Sequence, residues 1–195
     1  MLEISSIPED RVPENPQPEQ RRGIQFLLEI LQTLALALVL YFLIDFFIAR
    51  VRVENISMVP TLQPGEFVIV NKMAYRMGEP ERGDIVVFHY SPQEDYIKRV
   101  IGLPGDQVEI KNGQVWVNGY LLHEAYISAP PEYEGSWEVP EGSLFVLGDN
   151  RNQSSDSHRW GFVRLDSVVG EALVIYWPLS EAKILSQPIA VRAGP

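Results

Sequence analysis

The spacing of hydrophobic and polar positions changes twice along this chain. Residues 1–20 show no apolar periodicity, and their Pro and Glu content predicts a disordered tail of cytosolic type. Residues 30–48 are apolar except for Gln32, Thr33 and Asp45. At 1.5 Å per residue a helix of that run is about 28 Å long, against a hydrocarbon core of about 30 Å. A transmembrane helix is therefore expected. Asp45 lies close enough to one end to reach headgroup water, and Tyr41, Phe46 and Phe47 suit the same interface. The run is too long for a cleaved secretory signal, and the small-x-small triplet Ala35-Leu36-Ala37 falls inside it rather than after it, so an uncleaved anchor is expected. Arg11, Arg21 and Arg22 precede the span while Arg50 and Arg52 follow it, a near tie on the positive-inside count; an internal N-terminus is favoured.

Beyond Val51 the period shortens from helical to alternating. Residues 66–70, 84–89, 143–147 and 172–176 read as strands, and residues 108–122 carry two hairpin signals, Asn112-Gly113 and Asn118-Gly119, between alternating apolar positions. Pro130-Pro131 and residues 132–137 read as irregular, and residues 186–195 as a loose tail. The expected class is mainly β: an N-terminal transmembrane helix followed by an antiparallel sheet domain.

Composition narrows the partners. The 195 residues allow one domain of ordinary size with appendages, and a net charge of -10 with no long basic run argues against nucleic acid. The absence of cysteine removes thiolate nucleophiles and Cys-ligated zinc. His89 and His123 are isolated, and no His and carboxylate grouping has convincing metal spacing, so neither metal nor cofactor is expected.

Three stretches carry candidate chemistry. Ser57 stands just after the anchor, and Pro60 blocks helix continuation, so the serine is displayed on irregular backbone. In residues 96–101 alternation puts Lys98 on one face with Tyr96 and Val100, and Arg99 on the other with Ile97 and Ile101. Spacing alone leaves two readings: both charges solvated on an edge strand, or a lysine buried deeply enough to lose its proton and serve as a base for serine. Residues 148–161 crowd small, polar and charged side chains between two apolar strands, as a surface loop or as a wall of a site. Ser154 can donate to a lysine amine and Asp156 can hold a cation, while Ser57, His158 and Asp156 permit a triad in which the two downstream residues also suit a local ion pair.

Together these stretches resemble type I signal peptidases, the membrane-bound Ser/Lys proteases of bacteria and their plastid relatives. The resemblance runs from the anchor through Tyr176. It rests on Ser57-Met58 with Pro60-Thr61-Leu62, Gly83-Asp84-Ile85-Val86-Val87-Phe88, Tyr96 with Lys98-Arg99-Val100-Ile101-Gly102-Leu103-Pro104-Gly105-Asp106, and Gly148-Asp149-Asn150 through Asp156-Ser157. It implies a Ser57 nucleophile, a Lys98 general base, a lysine-orienting Ser154, structural support from Asp149 and Asp156, and an oxyanion hole from the Ser57 N–H and Asn55. Ile56, Met58 and Val59 are candidate substrate-binding residues.

The family likeness also implies two β-rich domains: a tail at 1–23, an anchor at 24–49, a catalytic domain at 50–185 with a smaller variable insertion at about 107–143, and a tail at 186–195. The implied partners are secretory preproteins with Ala-x-Ala-like sites, and membrane lipid. The implied location is a single-pass membrane protein with an extracytoplasmic catalytic domain, lumenal if the membrane is a thylakoid. Two positions depart from the family pattern. Many bacterial members have serine where this chain has Asn55; many have arginine at the position of His158, whose histidine instead resembles plastid-type sequences. A Ser/Lys protease with another dedicated substrate, and a non-catalytic membrane-anchored β module, are the alternatives.

Overall fold

The computed structural model describes residues 18–185 and 191–192. The expectations for residues 1–17, 186–190 and 193–195 lie outside the described residues. The chain divides into two compact units at Leu43 and Ile44.

Helix α1, Pro18–Phe47, begins with a proline, whose fixed φ and missing N–H suit a first helical turn. Helix therefore starts inside the stretch expected to be a tail. Its described side chains are exposed along the span, and Arg22–Phe47 is long and apolar enough to cross a membrane. The helix ends at Phe47, two residues before the expected boundary, because Ile48 and Ala49 belong to strand β1, Ile48–Arg52. There they pair with Asn71 and Val70.

The principal sheet is antiparallel throughout. After β1 it contains β2 Phe67–Asn71, β3 Ile85–Ser91 and β4 Glu94–Gly102. A second sheet is built from β5 Gln107–Lys111, β6 Gln114–Val117, β7 Tyr120–Leu122 and β8 Gly135–Glu138. The chain then returns to the first sheet with β9 Ser143–Leu147, β10 Val163–Arg164, β11 Val168–Trp177 and β12 Lys183–Ile184. The order in the first sheet is β1-β2-β11-β3-β4-β9-β10, with β12 against β11. In the second sheet β13, Val191–Arg192, precedes β7-β6-β5-β8.

Both Asn-Gly pairs form the expected tight turns, with φ positive at Asn112, Gly113, Asn118 and Gly119. Part of the stretch read as irregular is β8, whose Gly135–Glu138 pairs with Ile110–Gln107; the partner strand supplies a ladder that the Pro-rich local sequence does not announce. Two residues of the stretch read as a loose tail, Val191 and Arg192, pair with Leu122 and Leu121.

Three apolar clusters hold these layers. Val108, Ile110, Val115 and Val117 of the second sheet pack with Ile101, Phe145 and Leu147 of the first. Val86, Phe88, Val100, Leu144 and Val146 form another. The third joins Val68, Ile85, Ala172 and Ile175 to Val53, Met58 and Leu62, the residues flanking Ser57. Strand β4 pairs with β3 from Glu94 to Arg99 and with β9 from Arg99 to Gly102, and Lys98 and Arg99 are both buried, so the reading of two solvated charges on an edge strand is wrong.

Candidate active site

Ser57 sits in a 3₁₀ turn, Ile56–Met58, that follows β1. The turn is pinned because Met58 and Leu62, both fully buried, insert into one apolar cluster with Val53, Val68 and Ile85. Its carbonyls are held from the 148–150 loop: the Asn150 N–H donates to Ser57 O at 3.0 Å, and the Asn150 amide to Ile56 O at 3.2 Å. Gly148 permits that approach. A Cβ there would lie 2.4 Å from Ser57 O and 2.3 Å from Ser154 Oγ, distances no side chain can occupy.

Lys98 reaches the serine from β4. Its Nζ donates to Ser57 Oγ at 2.9 Å and to Ile97 O at 2.9 Å, and it lies 5.2 Å from the centre of the Tyr96 ring. The side chain is only 4% exposed. Burial pulls its pKa down from 10.5 to about 8, against an upward pull from Asp156 and Asp149. An amine that loses its proton near neutral pH, beside a hydroxyl, can accept that hydroxyl's proton and make the oxygen nucleophilic.

Behind Lys98, its neighbour Arg99 forms a buried fork with Asp149: Nε to Oδ1 at 2.8 Å and Nη2 to Oδ2 at 2.6 Å. Arg99 also donates to Gly83 O at 2.9 Å, and its guanidinium stacks on Tyr126, 4.1 Å from the ring centre. Thr61 donates to the same carboxylate. Asp149 thus ties β4 to the segment carrying Ser57. Asp156 caps α3, Ser157–Trp160, and receives the Gly148 N–H at 2.9 Å and His158 Nδ1 at 2.6 Å. Arg159 Nε donates to His158 Nε2 at 3.1 Å, which assigns the ring proton to Nδ1.

His158 therefore spends both ring nitrogens on Asp156 and Arg159, while Ser57 Oγ is held by Lys98. The Ser57, His158 and Asp156 arrangement is not a triad. Ser154 is 3% exposed and its hydroxyl has no hydrogen-bond partner among the described residues, so no bond to Lys98 is formed here.

A cleft of about 420 Å³ opens over Ser57 and Lys98, lined among others by Asn55, Ile56, Val53, Val87 and Ile97. Asn55 is exposed on it and its side chain does not cap the 3₁₀ turn. Ile56, 48% exposed, lines the cleft. Met58 and Val59 do not. A 3₁₀ turn rotates successive side chains by about a third of a circle, and here that sends Met58 into the core.

Asn150, Ile97 O, Thr61 as a partner of Asp149, and the Arg151–Glu124 pair were not anticipated as parts of this arrangement. Arg151 donates to Glu124 at 2.8 and 2.6 Å and to Gly148 O at 3.1 Å, which fastens the loop to a segment of the second sheet's connection. The Asn150 signal was present, since an Asx residue inside Gly148-Asp149-Asn150 commonly bonds nearby backbone. Nothing in the sequence connects Glu124 to Arg151. Among the described residues no cluster of His, Cys, Asp and Glu is placed to hold a metal.

A β fold carrying a cleft over a serine and a desolvated lysine belongs with the serine endopeptidases, and comparison with known proteins agrees. The model of the family "Signal peptidase, peptidase S26" matches residues 25–177, and the chain belongs to that family, as a hydrolase of the signal peptidase I type. "Signal peptidase I" of Leptolyngbya laminosa is 42% identical over 187 residues, covering 90% of this chain and 92% of that protein. "Probable signal peptidase I-2" of Synechocystis sp. is 45% identical over 168 residues, covering 82% and 77%. A solved signal peptidase I from Enterococcus faecalis is 37% identical, covers 47% of this chain and 95% of its own, and has a TM-score of 0.44.

Proposed function

We propose that this protein removes N-terminal signal peptides from exported preproteins after Ala-x-Ala-like sites, using Ser57 as nucleophile and Lys98 as general base. The observation that carries the reading is the 2.9 Å contact between a buried amine and a serine hydroxyl at the floor of a cleft. Neutral Lys98 takes the Ser57 proton as Oγ attacks the scissile carbonyl, and the ammonium then protonates the leaving amine. Water, deprotonated by the same amine, releases the acyl group. Ser57 is the second residue of its 3₁₀ turn, so its N–H has no partner within that turn and suits a developing oxyanion, with the Asn55 amide as second donor. Ser154, buried and without a hydrogen-bond partner among the described residues, would orient the amine only by turning its hydroxyl toward Nζ. Asp149 and Asp156 hold the walls through Arg99 and Gly148.

In this reading α1 anchors the enzyme, with the tail at 1–23 in the cytoplasm and the catalytic domain at 50–185, including the insertion at about 107–143, across the membrane. In a photosynthetic cell the same topology faces the thylakoid lumen. The exposed apolar surface of α1 and the substrates' own apolar helices support placement at a bilayer. Incubating purified protein in detergent with an authentic preprotein, then sequencing the new N-terminus, tests the activity. Wild type should cut after a small-x-small triplet, while folded Ser57→Ala, Lys98→Ala and Lys98→Arg should not, because arginine keeps the charge but cannot act as a base. Cleavage by folded Lys98→Arg at the wild-type rate would reject the mechanism, and cleavage only of an unrelated precursor would reject the substrate class.

A further inference from the structure

A second concave site lies at the foot of α1, away from Ser57. The last turn of α1 contains no basic residue, so its terminal carbonyls lack a local cation. The fold supplies one from β2. Because Ile48 pairs with Asn71, the next residue, Lys72, is brought beside the helix end. Its N–H donates to Phe47 O at 3.0 Å and its Nζ to Asp45 O at 2.7 Å. One turn later Arg76, in helix α2 Ala74–Met77, sets its guanidinium 5.4 Å from the centre of the Phe46 ring. Arg76 is exposed and forms no ion pair among the described residues.

Both cations line a cleft of about 400 Å³ that Leu165, Val168 and Val169 also line. The other polar groups lining it include Asp166, which pairs with Arg164, and His89, which hydrogen-bonds Asp95 at 2.6 Å. The site thus combines two cations with aliphatic side chains, next to the point where the chain leaves its apolar helix. A chain of net charge -10 is repelled by an acidic bilayer as a whole, so attraction to one must be local.

We infer that Lys72 and Arg76 hold the phosphodiester headgroup of an acidic phospholipid, whose glycerol end rests on the aliphatic side chains. The inference rests on α1 being a membrane span. A free phosphate shares the headgroup's anionic chemistry but has no use for the aliphatic side chains, and this separates the two sources.

The test uses the full chain in nanodiscs of phosphatidylcholine with phosphatidylglycerol, followed by native mass spectrometry of retained lipid without any substrate. Wild type should retain phosphatidylglycerol in preference to phosphatidylcholine. Lys72→Gln/Arg76→Gln should lose that preference by on the order of tenfold or more, as expected for two cations at an acidic surface, and Lys72→Arg should keep it. If removing the Lys72 cap unfolds the double variant, Arg76→Gln alone carries the test, with a partial loss expected. Equal preference in the variants, no preference in wild type, or displacement of the lipid by millimolar inorganic phosphate would each overturn the site. Failure to enter nanodiscs would instead reject the anchor. Lipid retention needs no catalysis, so an inactive preparation leaves the result readable.

Discussion

Replacing Lys98 by methionine should change how stability depends on pH, and the size of the change follows from the burial of the amine. The folded-state pKa is lowered from 10.5 to about 8, chiefly by desolvation. Between those values the unfolded chain binds a proton that the folded chain does not, so raising the pH favours folding. Below about 8 both states carry the proton, and the folded protein bears the full cost of a buried ammonium; above 10.5 neither does, and the cost is gone. At about 1.4 kcal/mol per tenfold change, the cost is about 3 kcal/mol. Methionine fills similar volume without titrating, and it also forfeits the bonds to Ser57 Oγ and Ile97 O, a loss that should vary little with pH. The stability of wild type relative to Lys98→Met should therefore rise by about 3 kcal/mol between neutral pH and about pH 11, other groups cancelling in the difference. Urea unfolding in detergent, followed by the fluorescence of Trp116, Trp137 and Trp160, measures it at each pH. A difference that stays flat across the window would mean that Lys98 titrates as an ordinary exposed lysine and is no base at neutral pH.

The same ionisation should appear in catalysis: kcat/KM for a preprotein rises along one basic limb with an apparent pKa near 8, and a pH-rate profile without that limb refutes it. Asn55→Ala should lower kcat by roughly 10² to 10³ with KM nearly unchanged, and Asn55→Ser should restore much of the loss, as steady-state kinetics will show. Glu124→Ala strands the fully buried Arg151 with Gly148 O and Tyr126 as its remaining partners, and should cost about 3–5 kcal/mol by chemical denaturation. The paired apolar replacement Glu124→Leu/Arg151→Met should be much milder, and equal losses in both would show that the pair itself does not hold the loop.

Local pattern determined much of this protein. A single apolar run long enough to cross a bilayer must be helical there, because one segment can satisfy its own backbone in no other way. Asn112-Gly113 and Asn118-Gly119 specify their hairpins because few other residues tolerate positive φ at both turn positions. The ordered stretches around Ser57, Lys98 and residues 148–157 were legible as a family likeness, and the family comparison agrees.

What local pattern did not decide was which side chains meet. Alternation separated Lys98 from Arg99 without revealing that both are buried, which depended on distant segments: Ser57 meets Lys98 and Asp149 meets Arg99. Thr61 and Asp149 are 88 residues apart, and Arg99 and Asp149 are 50 apart, yet one carboxylate joins all three. Met58 looked available to substrate until the 3₁₀ turn directed it into the core, while β8 became a strand only because β5 was there to pair with it. In each case the decisive energy comes from burial and hydrogen bonding between segments distant in sequence, which local periodicity does not encode.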